Sequence, residues 1–239
     1  AQVIVAAEKS ALVRGANQRE LRHISALKVW FDGDLVRAVQ IWEDILLEHP
    51  LDAIALRLAY HTYFYLGDIA NGRDLPARVM HAWNEDVPCY GFILGVYAFA
   101  LEEAGDYGAA ERLGRQAVDL NAGDIWAVHS VCHVLEMQGR HREGIDWVKS
   151  TELGWRHCNN FRYHIWWHRT LFHLELNQYD EVLGLYDTEV RADKSDEYLD
   201  ICNAASLLWR LEARGVEVGD RWDELASVSE NRIDDHVLA

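Results

Sequence analysis

Small and apolar residues recur in this chain at fixed distances from glycines. After Gly33, Gly105 and Gly139 a small residue stands five positions on (Ala38, Ala110, Gly144). An apolar or small residue follows four positions further (Trp42, Gly114, Val148). Laid in register, these stretches predict helix, tight turn, helix and break, with a period of about 34 residues. The expected fold is all-α: a right-handed superhelix of about six helical hairpins forming one solenoid over residues 1–239.

That period is the tetratricopeptide one, and six units follow from it. Residues 19–52 turn at Gly33. Residues 53–86 turn at Gly67 and lose the pattern where Pro76 is expected to interrupt the second helix. Residues 91–124 come nearest to the consensus, residues 125–158 follow, and residues 163–196 turn at Asn177. A sixth unit starts near Leu199 and turns at Gly215. A helix over residues 3–13 precedes the first unit without a partner, and Asp234-Asp235-His236 reads as the opening of a further helix. Terminal repeats need polar capping faces. Ends of this kind fit a piece of a longer protein lacking flanking repeats, or a homodimer that caps itself.

Charge and cysteine usage narrow the function classes. With 23 Lys plus Arg against 39 Asp plus Glu, the formal charge is −16, so counterion release onto phosphates cannot drive binding and no nucleic-acid partner is expected. Cys89, Cys132, Cys158 and Cys202 are scattered without a CxxC pair and read as reduced thiols of a cytoplasmic protein. The opening AQVIVAA is too short to span a bilayer and lacks a basic lead-in, so no membrane anchor is expected. Nucleotide loops and a GxSxG elbow are absent, and the helical period leaves no strand to carry them.

The segments WAVHSVCHVLEMQGRHREG (residues 126–144) and HIWWHRTLFHLEL (residues 164–176), with YFYLGD and NAASLLWRLEARGVEVGDRW, resemble the tetratricopeptide repeat protein 38 family over about residues 18–236. The resemblance implies an all-helical superhelix in a soluble protein and supplies no reaction. Members of that family extend past the end of this chain.

The first helix of each pair lines the concave surface of such a superhelix, and residues ten, six and three before the turn share its inward stripe. This register selects Arg57, His61 and Phe64 in the second unit, Phe99 and Glu102 in the third, and His129, His133 and Glu136 in the fourth. In the fifth it selects Trp167, with His164 one turn earlier. His168 and His173 fall off the stripe and are expected to pack between helices. Trp42, Trp147 and Trp222 fall on second helices as core fillers, whereas Trp30 and Trp167 point inward. The groove over units three to five is thus expected to hold a peptide or small polar ligand. Three readings of its histidines stay open. They form a polar pocket, or serve as an acid–base or metal site in an enzyme, or are purely structural. No cofactor is expected; were an ion held, it would be zinc or iron(II) on His129, His133, His164 and Glu102.

Overall fold

The computed structural model describes residues 2–234, and the helix opening expected at Asp235 and His236 lies outside them. Among the described residues there are thirteen α-helices and no strand. The chain divides into two compact units, residues 1–117 and 118–239.

The N-terminal unit holds α1 (Gln2–Arg14), α2 (Gln18–Phe31), α3 (Leu35–Glu48), α4 (Ala53–Leu66), α5 (Ile69–Val79) and α6 (Tyr90–Glu103), and α7 (Tyr107–Leu120) begins in it. Its helix starts are written locally. Asn17 and Glu20 form a reciprocal capping box, and the carboxylates of Asp34, Asp52 and Asp68 accept from the backbone N–H groups of Arg37, Ala55 and Asn71. Each cap satisfies a donor that the helix leaves open, worth about 1 kcal/mol. The turn glycines Gly33, Gly67 and Gly105 have positive φ, which permits the tight reversal that a Cβ would strain. The core is built from Trp42, Ile45, Leu56, Leu75, Leu94 and Phe99. One expectation fails here: Pro76 lies inside α5, buried with Leu75 and Val79, and the helix runs three residues past it before a 3-10 turn over Met80–Ala82. Proline loses one helical hydrogen bond, and burying its ring in the core offsets that loss.

The C-terminal unit holds α8 (Ile125–Met137), α9 (His141–Trp155), α10 (Phe161–Glu175), α11 (Tyr179–Leu185), α12 (Tyr198–Glu212) and α13 (Arg221–Ser229). Helix α11 is short and continues as a π-turn over Tyr186–Val190, so the fifth hairpin departs from the regular repeat. Asp124 caps α8 through the Ala127 N–H. Gly139 and Asn177 turn with positive φ, as the repeat register requires. Gly144 on α9 is the small residue of its hairpin, and a Cβ there would overlap the ring of the fully buried Phe172 on α10. Buried Trp147 donates its indole N–H to the Val128 carbonyl at 3.1 Å, tying α9 to α8. A second core, of Leu207, Leu208, Leu211, Val218 and Leu225 with Trp222 against it, holds α12 and α13.

Candidate functional site: a four-histidine centre

In the N-terminal unit the inward register places Arg57 and His61 half-buried on α4 and leaves Phe64 exposed. Phe99 and Glu102 of α6 carry the same register but are buried. The Phe99 ring lies 6.4 Å from Tyr60, edge-on, and 5.8 Å from Phe64. His61 stands edge-on to Tyr65 at 5.8 Å. Burial, helped by the Arg57 charge, pushes the His61 pKa down to about 4, so its ring is neutral at pH 7. His23 on α2 is held instead by the Asp52 carboxylate, at 3.0 Å.

In the C-terminal unit α8 and α10 each present a histidine pair at i, i+4, and the two pairs meet. His129 and His168 are buried, and His133 and His164 are half-buried. Their Nε2 atoms converge: His133 to His129 is 2.9 Å, His129 to His164 is 2.9 Å, and His164 to His168 is 3.2 Å. One nitrogen from each of the four lies within 4.8 Å of all the others. Two of the outward-facing nitrogens are held as well. His168 Nδ1 is 3.0 Å from the Glu136 carboxylate and donates to it, and His164 Nδ1 is 3.0 Å from the side-chain amide of Asn203 on α12.

Aromatic rings wall the centre. Trp167 stacks on His164, with centroids 5.3 Å apart and planes 14° from parallel, and Phe161 stands 5.1 Å from His129 and 5.4 Å from Trp126. Burial, reinforced by the neighbouring imidazoles, pushes the pKa values of His164 and His168 well below the ordinary range. Both rings are therefore neutral at pH 7, the form that bears a lone pair. Burial also raises Glu136, against the pull of His133 and Arg210. Cys132, fully buried between His129 and His133 in sequence, is pushed far up by burial and is not a nucleophile.

Sequence reasoning finds His129, His133, Glu136, His164 and Trp167, and the packing of α8 on α10 brings them together. It misses two members. His168, which the inward stripe leaves between helices although its spacing from His164 repeats that of the His129/His133 pair, is the fourth histidine. Asn203 comes from a helix 39 residues away from its partner, and no local pattern marks it. Glu102 belongs to the N-terminal unit. His173, bonded to Gln178 at 2.7 Å, packs between helices as expected.

No protein-family model matches the chain. Among solved structures, it is similar to TTC0263, a thermophilic tetratricopeptide protein of Thermus thermophilus, at 16% identity. The match covers 80% of this chain and 99% of that one with a TM-score of 0.59. A tetratricopeptide repeat protein from Parabacteroides merdae matches at 12% identity over 94% of this chain and 90% of its own, with a TM-score of 0.56. YrrB, a tetratricopeptide protein described as having an unusual peptide-binding site, matches at 14% identity over 84% of this chain and 98% of its own, with a TM-score of 0.51. The fold of this chain is that of the tetratricopeptide repeat proteins.

Proposed function

We propose that the protein is a helical-repeat binding module that holds a peptide segment against the inward faces of its first helices, in keeping with the resemblance to the tetratricopeptide repeat protein 38 family. The observation that carries the reading is a pair of aromatic side chains left in solvent at the end of a helix that buries Leu56, Ala59, Tyr60 and Tyr63 in the core. Phe64 and Tyr65, with ring centroids 5.7 Å apart, are 41% and 46% exposed at the end of α4. A cavity of about 90 Å³ beside Phe64 is lined by Tyr60, Phe64, Ile69, Ala100 and Glu103. It is sized for one side chain, apolar on its walls and edged by the charges of Asp68, Arg73 and Glu103. Adjacent exposed rings favour burial against a partner, and the chain's charge of −16 favours a neutral or cationic guest. The four free cysteines suit a reducing, cytoplasmic setting. No described helix is long and apolar enough to cross a membrane.

Panning a random peptide-display library against the full chain, followed by calorimetric titration of a selected synthetic peptide, tests this. Enrichment of an apolar residue beside a Lys or Arg is expected, with Phe64→Ala weakening the peptide at least tenfold, about 1.4 kcal/mol. A library that yields no saturable binder, or a binder indifferent to Phe64→Ala, overturns the reading.

A further inference from the structure

We infer that the four histidines of α8 and α10 bind a zinc ion through their Nε2 atoms, a site independent of any peptide partner. Proton accounting carries the inference. The Nε2 of a neutral imidazole offers one in-plane direction, holding either a hydrogen or a lone pair. The chain of close approaches runs His133, His129, His164, His168, at 2.9, 2.9 and 3.2 Å. Four such atoms can form two proper hydrogen bonds among themselves, so one of the three approaches is left without a proton to share or with one shared badly. A cation at the centre of the four replaces all three with coordination bonds.

The outer layer agrees. His168 donates its Nδ1 proton to Glu136, which leaves its Nε2 with the lone pair a metal needs. A half-turn of the Asn203 amide lets the oxygen accept from His164 Nδ1, with the same result for that ring. A carboxylate behind a ligating histidine fixes the tautomer and the ring orientation and raises basicity. Glu136 also sets one negative charge beside the buried dication.

Geometry selects the ion. Five of the six ring pairs have centroids 4.3–5.0 Å apart, and these include the diagonal pair His129 and His168 at 5.0 Å. In a flat square both diagonals would be much longer than the edges, so the set is not a flat square. Tetrahedral imidazole ligation suits zinc, whereas copper(II) and nickel(II) favour square arrangements and non-haem iron(II) favours a carboxylate among its ligands. Zinc–nitrogen bonds of about 2.0–2.1 Å place tetrahedral ligand atoms about 3.3–3.4 Å apart, so the three close approaches need open by only a few tenths of an ångström. Four protein ligands complete the shell, and the ion ties α8 to α10.

The experiment uses the full chain, purified without a metal-affinity tag, stripped with a chelator and titrated with zinc and with cobalt(II). We expect one zinc per chain and a cobalt(II) spectrum with the intense visible bands of four-coordinate nitrogen ligation. His133→Ala and His164→Ala, at the half-buried positions, should each weaken zinc at least 100-fold with the helical circular dichroism retained. Glu136 acts as a positioning residue: Glu136→Leu should weaken zinc about 10–100-fold, and Glu136→Gln, which keeps an acceptor, should recover most of that. Absence of a stoichiometric ion at micromolar zinc, the weak bands of six-coordinate cobalt, or affinity unchanged in both alanine variants overturns the site. Should a variant unfold, X-ray absorption of the zinc-loaded wild type decides. Four imidazole nitrogens at about 2.0–2.1 Å support the site, and two or fewer overturn it.

Discussion

Helices α4, α6, α8 and α10 are the first helices of successive hairpins, yet of the pairs α4 with α6 and α8 with α10 only the second gathers its polar groups. On α4 a single histidine, His61, lies beside an arginine and among rings, and α6 answers with Phe99 and Glu102, both buried. On α8 a second histidine follows the first at i+4, and α10 answers with another such pair, so four ring nitrogens meet. One inward histidine per helix makes a surface feature. Two per helix on packed neighbours make a centre, because the i, i+4 spacing stacks both side chains toward the same place on the facing helix.

The contrast is sharpest under metal removal. Saturating zinc should raise the unfolding free energy of the wild-type chain by about 4 kcal/mol at a thousandfold excess over the dissociation constant, seen as a shifted urea midpoint that a chelator reverses. His61→Gln should leave that gain intact and His133→Ala should cut it to about 1.4 kcal/mol or less. An equal gain in all three chains would break the comparison.

Acid comes next, and here His61 itself is at stake. Its folded pKa, about 4, lies below the ordinary value near 6.5, so the unfolded chain binds the proton more readily. The associated stability is fully present above pH 6.5 and is lost as the pH falls toward 4. The loss reaches about 2–3 kcal/mol for this one group. His164 and His168 shift in the same direction, so the informative quantity is the difference between wild type and His61→Gln. Urea titrations at pH 7 and pH 4.5 measure it, and parallel lines would show that His61 is neutral for no reason of burial.

A smaller effect separates the two hairpins at their small residues. A leucine at Gly144 drives into the ring of Phe172, which has no room to move, and a leucine at Ala110 crowds a fully buried position. Overpacking costs about 1–3 kcal/mol. Gly144→Leu should stand at or above the top of that range and Ala110→Leu within it, as read from thermal melts. An unchanged melting temperature for Ala110→Leu would mean that the register of the third hairpin is wrong.

Much of this is legible in the chain. The caps at Asp34, Asp52, Asp68 and Asp124, the turns at Gly33, Gly67, Gly105 and Gly139, and the inward positions of His129, His133 and Glu136 all follow from spacing within about one hairpin. Pro76 reads as a breaker because its cost is local, whereas the burial that offsets it comes from neighbouring helices. Phe99 and Glu102 carry the inward register and are buried, because the register alone does not say how far neighbouring side chains cover a position.

By itself the sequence determined the period, the turns and most of the hairpins, because these depend on dihedral preferences and on hydrogen bonds between residues three to five apart. Only the tertiary structure decided that His168 turns toward His164, His129 and His133, and that Asn203 reaches His164 from α12. Those meetings depend on the rotation and spacing of packed helices. Helix packing settles both by interlocking side chains over whole faces, so no stretch of sequence the length of one hairpin contains the answer.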